Sequence, residues 1–360
     1  MAKRTTLADV AKVAGVTTMT VQRALKGTGG VSEEQRSRIQ KIAEEMDYHP
    51  NVMASVLKKG SIRIGLVLPD RENENRYFAS CLWDGVQEYA EKNTLFQIQC
   101  HKYAYEWSQK NQGIAMGRML QECGDELDGV ICMGGDDPGI RKALAELDER
   151  KVPYVFVGMD DKDSRRLCCV SASNEVAGRL AADLFLCFDG KNERGRILLT
   201  GDFSHQDQSQ NALGFEKEVK ERGGAMEILK LSSFGDIQET SRSIAQFLTA
   251  DIGISGVYSC SARNTLAVCR AMELAERRIR AVGSDVFAEN VNLMREGRLE
   301  AIIHKRHYDQ AYRAMQILSE YIVKKQKPTT VWEQVMPVVV MHGNLECFME
   351  NHHRESGYLF

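Results

Sequence analysis

The sequence predicts two folds in series: an N-terminal all-α helix-turn-helix head, then an α/β core of parallel sheets in two lobes. Three observations predict this. Residues 6–46 carry apolar positions at helical spacing, interrupted by a Gly turn. From Ile62 onward, short runs of Val, Ile and Leu alternate with amphipathic helical stretches, the pattern of parallel sheets covered on both faces. About eleven such runs in 360 residues exceed one compact sheet and one ordinary domain.

The head reads as four short helices. Thr6 is an N-cap, with Asp9 placed to answer it, and Leu7, Val10, Ala11 and Ala14 form one apolar stripe. Gly15 stops that helix and permits a tight turn, which Val16 plugs. Thr17 caps a second helix, Thr18 to about Leu25, with Val21, Ala24 and Leu25 inward. Ser32 with Gln35 caps a third, carrying Ile39, Ile42, Ala43 and Met46 on its buried side. Helix, short Gly turn, helix is the arrangement that lays a second helix in the DNA major groove. Thr17, Thr18, Met19, Gln22 and Arg23 are the candidates to reach it. Gln22 can pair bidentately with adenine and Arg23 with guanine, and Met19 offers apolar contact to a thymine methyl. Thr6, Thr17 and Thr20 suit phosphate contacts or helix caps.

The charges agree. Residues 1–60 hold ten Lys and Arg against six Asp and Glu, a formal +4, within a chain of −3. A positive head on an acidic body suits a head that meets phosphate.

Thr6-Leu-Ala-Asp-Val-Ala-Lys-Val-Ala-Gly-Val16, Thr20-Val21, Arg23, Val31-Ser32 and Tyr48-His-Pro-Asn51 closely resemble the head of the lactose-repressor (LacI/GalR) family. By that resemblance Thr18, Met19 and Gln22 occupy specificity positions. Most members have a small residue at Gln22, so the operator half-site is expected to depart from the usual one. His49-Pro50 ends the third helix, and Asn51 can cap a fourth, Val52 to Lys58, too short to be helical alone in water. The resemblance implies that two such hinge helices pack in the minor groove. There Leu57 wedges into a central base step, with Ala54 one turn earlier on the same face.

In the core, strands are expected at Ile62–Leu68, Gln97–Cys100, Gly129–Met133, Tyr154–Val157, Leu167–Val170, Arg196–Leu199, Glu227–Leu231, Gly256–Cys260, Arg280–Gly283, Glu300–Ile303 and Val335–Val340. Helices include Phe78–Lys92, Asn174–Phe185, Asn211–Arg222, Thr265–Glu276 and Asp309–Lys325. Ile64-Gly-Leu-Val67, Asp128-Gly129-Val-Ile131, Val176-Ala-Gly-Arg-Leu-Ala181, Gly214-Phe215 and Val282-Gly-Ser-Asp285 make this half resemble the two-lobed type I periplasmic-binding-protein-like fold that follows the head in the same family. That implies three lobe crossings, expected near residues 188–191, 303–306 and 326–330. The organisation is then a DNA-binding head at 1–50, a hinge at 51–61 and a core at 62–345. The N-lobe covers about 62–189 and 304–328, the C-lobe about 190–303 and 329–345, and a tail spans 346–360. The tail lacks the leucine heptads of a tetramerising coil.

Ligand in such folds binds in the cleft, off the carboxyl ends of the strands. Family pocket positions map to the loop around Arg76, Tyr77 and Phe78, and to Ser173, Asn211, Arg263, Asp285 and Lys305. Ser173 and Asn211 stand where many members have an Asp–Arg pair gripping sugar hydroxyls. Asp285 can accept hydroxyl or ammonium donors, and Tyr77, Phe78 or Trp83 can stack on a sugar ring. Arg263 and Lys305, with Arg306 adjacent, are paired cations that favour a carboxylate or phosphate, so an anionic or amino-sugar-like effector is expected. The alternative leaves Arg306 in solvent and Arg263 bonded to the neighbouring lobe.

The ten cysteines include no C-x-x-C pair and mostly sit in apolar runs, so they read as buried reduced thiols. The histidines show no ligand spacing, and no metal or cofactor is expected. No signal peptide or bilayer-spanning run is seen, which places the protein in the cytoplasm. There is no nucleophile elbow, no phosphate-cradling Gly loop and no catalytic constellation, so an enzyme is not expected. The expected function is a homodimeric, sugar-responsive transcriptional regulator, in this family most often a repressor, on a pseudo-palindromic double-stranded operator. The alternative keeps the DNA binding but makes a protein partner the trigger.

Overall fold

The computed structural model describes residues 5–26, 29–46, 48, 60–72, 76–189, 195–233 and 236–355. The expected hinge helix, with Asn51, Ala54 and Leu57, lies outside the described residues.

The head begins with α1 (Leu7–Ala14). Thr6 closes a capping box: its Oγ1 accepts from the Asp9 N–H at 3.3 Å, and its own N–H donates to Asp9 Oδ2 at 2.8 Å. Gly15 ends the helix in the left-handed region, φ 67°, which a side chain would strain. In α2 (Thr18–Lys26) the cap is Thr17, whose Oγ1 accepts the Thr20 N–H at 3.2 Å. Ser32 caps α3 (Glu33–Glu45) through the Gln35 N–H. Val10, Ala11, Ala14, Val21, Ala24, Ile39 and Ala43 form the buried centre, with Leu7, Val16, Leu25, Ile42 and Met46 around it. The helical positions among these are the ones the periodicity predicts, and Val16 is the turn plug expected after Gly15.

The core opens with β1 (Ile62–Pro69), α4 (Arg76–Lys92), β2 (Ile98–Tyr105), α5 (Gln109–Cys123), β3 (Gly129–Cys132), α6 (Pro138–Glu149), β4 (Tyr154–Val157), β5 (Cys168–Ala172) and α7 (Asn174–Asp189). It continues with β6 (Arg196–Gly201), α8 (Gln206–Glu221), β7 (Glu227–Ser232), α9 (Ile237–Ala250), β8 (Ile254–Ser259), α10 (Ala262–Leu274), β9 (Arg280–Ser284) and α11 (Ala288–Arg295). Then come β10 (Ala301–His304), α12 (His307–Lys324), β11 (Trp332–Val335), β12 (Val338–Met341) and α13 (His342–Glu355). One sheet has the order β11-β5-β4-β3-β1-β2 and is parallel throughout. The other has the order β12-β10-β9-β8-β6-β7 and is parallel except for β12, which runs antiparallel to β10. Helices cover both faces of each, and the strands between them read as continuous apolar runs because they are buried on both sides.

Two expected crossings move. The first falls between Ala172 and Asn174, not near 188–191. Ala177, Ala181, Ala182 and Phe185 of α7 pack with Ile197, Leu199 and Phe215 of the second lobe. The third falls at Met336-Pro337, not near 326–330. The single strand expected at Val335–Val340 is two strands, one in each sheet, because Pro337 has no N–H to donate to a ladder. The second crossing, at Lys305-Arg306, lies within the expected range. The described part of the tail, to Glu355, is helical in α13, and Leu345 and Met349 of that helix are buried in the second lobe.

α7 and α8 touch backbone to backbone. A Cβ on Gly178 would fall 1.9 Å from the Asn211 carbonyl oxygen, and one on Gly214 would fall 2.1 Å from that of Glu175. Gly178→Ala and Gly214→Ala are each expected to lower stability by roughly 1–3 kcal/mol, because helix backbones must move apart. Gly117→Ala, on α5 with open space at its Cβ, should raise stability by about 0.5–1 kcal/mol. Urea midpoints of the three variants check the ordering.

Candidate functional site

The outward face of α2 is free of the head's core. Thr17, Thr18, Met19, Gln22 and Arg23 are exposed while Val21 and Ala24 are fully buried. Met19 is 60 % exposed, which leaves an apolar side chain with no packing role in the head. Thr20 is half-buried, and its hydroxyl exchanges a 2.9 Å hydrogen bond with that of Thr17. Thr6 is engaged in its capping box.

In each sheet the strand order reverses beside one strand: at β1, flanked by β2 and β3, and at β6, flanked by β7 and β8. Ligands in open α/β sheets bind beyond the carboxyl ends of the strands at such points. Here the two points face each other across a cavity of about 510 Å³, lined by Asp70 after β1, Asp202 after β6 and Ser261 after β8. Tyr77, Phe78 and Trp107 line it from the first lobe, and Phe78 and Trp107 meet edge to face at 5.2 Å.

Asp285 is at the centre of the second-lobe wall. Its carboxylate is buried, 3.7 Å from Lys305 Nζ and 3.4 Å from His307 Nε2, and it accepts the Lys305 N–H at 3.0 Å. Burial alone would push this carboxyl up. Lys305, then His307 and His304, outweigh burial and hold it well below the ordinary carboxylate range. Asp285 and Arg306 both have left-handed backbone, φ 62° and 57°, at either end of this network. Of the two, Asp285 lines the cavity, and such backbone costs about 1–3 kcal/mol at a non-glycine residue.

The lobes also meet at one rim. The Tyr77 and Phe287 rings stand 4.3 Å apart, Arg76 lies over Tyr77, and its guanidinium reaches Glu289 at 2.8 Å. The ion pair is half-exposed and adds little; the ring contact carries the clasp.

Of the expected pocket residues, Tyr77, Phe78, Arg263, Asp285 and Lys305 line the cavity. Ser173 and Asn211 do not. Ser173 Oγ accepts the Val176 N–H at the start of α7. Asn211 is fully buried, donating to Asp207 O at 3.1 Å and accepting from the Tyr258 hydroxyl at 3.2 Å. Both positions were counted from Gly178 and Gly214, which are packing landmarks of α7 and α8; Gln208, nearly one turn earlier on α8, faces the cavity instead. Trp83 is in the first lobe's core, with its indole N–H on Pro69 O at 2.6 Å. The expected pair of cations for an anionic ligand is not met either. Lys305 is engaged by Asp285 and by Cys260 O, and acids outnumber bases in the lining. Sequence reasoning missed Trp107, Asp202, His205 and Asp207; their place just after β2 and β6 was the available signal.

Among the described residues no His, Cys, Asp and Glu group is arranged for a metal. Cys132 and Cys260 are buried, and burial pushes their thiols up to about 12.

Residues 6–51 match the pattern described as bacterial regulatory proteins, lacI family, and residues 64–326 match the periplasmic binding protein domain. The HTH-type transcriptional regulator MalR of Streptococcus pneumoniae is 31 % identical over 42 % of this chain and 45 % of its own. The HTH-type transcriptional repressor PurR of Vibrio parahaemolyticus is 28 % identical over 60 % of this chain and 61 % of its own. The chain thus spans about half to three fifths of the length of these curated relatives. The structure of GanP, a glucose-galactose binding protein from Geobacillus stearothermophilus, superposes with a TM-score of 0.67 at 19 % identity. It covers 79 % of this chain and 99 % of its own, and shows the fold of the core.

Asp285→Asn should destabilise the protein by about 3 kcal/mol at neutral pH, because Lys305 stays buried without its counter-charge. The depressed carboxyl contributes its stability above the ordinary carboxylate pKa. The gap between wild type and variant should therefore narrow as pH falls below about 4. Urea unfolding across pH checks both.

Proposed function

This chain belongs to the lacI family of bacterial regulatory proteins, with a lacI-type head ahead of a periplasmic binding protein domain, and we propose that it is a sequence-specific DNA-binding transcriptional regulator, a repressor, switched by a small molecule in the interlobe cleft. The single observation that carries the reading is α2, anchored by Val21 and Ala24 with its opposite face turned out. Thr18, Met19, Gln22 and Arg23 are assigned base contacts, Thr6, Thr17 and Thr20 phosphate contacts. Leu57, with Ala54 on the same face, is assigned the minor-groove contact that the family resemblance implies, and Asn51 a DNA contact beside its cap role. A homodimer then reads two half-sites of a pseudo-palindromic duplex.

The cleft supports a small-molecule trigger over a protein one. It has the size of a single-ligand site and joins aromatic walls to acidic residues, the chemistry that receives a polyhydroxylated, sugar-like effector. Its lining disfavours an anionic one. Ligand bridging both walls closes or reorients the lobes, and that movement reaches the head through the segment joining them. Among the described residues no helix is long and apolar enough to cross a membrane, which suits a protein that works at DNA. The reading is a regulator and not an enzyme.

Selection from random duplexes is expected to return a two-part, near-symmetric site. Gln22→Ala and Arg23→Ala should each cost about 1–3 kcal/mol on that site and relax preference at one base position per half-site. Failure to enrich any sequence over bulk DNA would overturn the reading.

A further inference from the structure

We propose that the cleft selects a positively charged polyhydroxyl ligand, an amine-bearing sugar or cyclitol, over its neutral and acidic counterparts. The inference rests on the reading of the cleft as the effector site and adds the charge of the effector. Five acidic residues line the cavity, Asp70, Glu106, Asp202, Asp207 and Asp285, against two basic ones, Arg263 and Lys305. These do not cancel. Lys305 Nζ, buried, is committed to Asp285 at 3.7 Å, and His307 stands 3.4 Å from the same oxygen. That leaves four carboxylates and Arg263. Asp202 is within 3.4 Å of His205 Nε2, an ion pair only when the imidazole is protonated. Asp70 accepts the Glu72 N–H at 3.2 Å, a backbone donor that leaves its charge in place. The Asp207 carboxylate has neither a hydrogen-bond nor an ion-pair partner among the described residues.

A second, independent feature asks for a donor. Gln310, 1 % exposed, lines the same cavity. Its Nε2 donates to Lys305 O at 2.7 Å, which fixes which way the amide faces, and its Oε1 is left with no donor. A buried acceptor without a partner is costly, and a hydroxyl or ammonium of the ligand removes that cost. An ammonium entering this partly enclosed space exchanges water for carboxylates, whereas a carboxylate or phosphate would meet like charge and lose its hydration. The Phe78–Trp107 pair supplies an aromatic wall that tolerates a cation.

The test is calorimetric titration of the full chain, at mildly acidic pH, with matched probes: glucose, glucosamine and glucuronate, then galactose, galactosamine and galacturonate. In at least one series the amine is expected to bind about tenfold more tightly than the neutral sugar, with the acid weakest. Asp207→Asn should narrow that amine-to-neutral ratio to below about threefold, with an unchanged urea midpoint showing that the fold is intact. A neutral sugar or an acid binding as tightly as the amine in both series, or a ratio untouched by Asp207→Asn, overturns this inference and leaves the cleft as the effector site. Binding by none of the six overturns both.

Discussion

A charge buried at a lobe crossing is the constraint on which the rest of the core depends. Asp285 directly follows β9, and Lys305 and His307 flank the point at which the chain leaves the second sheet for the first. Removing a carboxylate from water is unfavourable unless cations and donors replace the water. The crossing must therefore bring Lys305 and its N–H to Asp285, and left-handed backbone at Asp285 and Arg306 is accepted to do it. Once that passage is set, the carboxyl ends of β1 and β6 face one another. The cavity between Asp70 and Asp202 follows from the topology.

The head obeys a different economy of size. Its buried centre is seven mostly small side chains, so the caps at Thr6, Thr17 and Ser32 and the Gly15 turn contribute a large share of its order. This leaves α2 rigid enough to present an unpacked face. Each lobe is a stiff unit, a sheet with helices on both faces, and the lobes touch at the Tyr77–Phe287 rim, beside the crossing where His307 meets Phe78. A ligand that alters that rim contact changes the relation of two stiff units, the kind of displacement that can pass along a short tether.

Much of this was legible in the residues. Periodicity placed the head's inward face, including Val10, Val21 and Ile39, because one period dominates a short amphipathic helix. Strand positions were legible because parallel strands buried on both sides are apolar without alternation. Lobe membership was not. α7 has an apolar face that could pack on either sheet, and only Gly178 and Gly214, brought together across two helices, decide in favour of the second. The strand break at Pro337 was a local signal that the surrounding Val run obscured. In the cleft, residues near a strand end, such as Asp285, were found by position. Asn211 was misplaced because a count along a helix from a packing glycine does not report which way the side chain turns. Trp107 and Asp207 come from loops and helix starts whose direction depends on tertiary closure.

The most direct measurement of the central claim is the affinity of the intact protein for one selected duplex, with the cleft empty and with it saturated by a bound small molecule. Coupling between cleft and head predicts affinities that differ by about fivefold or more. Identical affinities in the two states, with the small molecule shown to be bound, would contradict it.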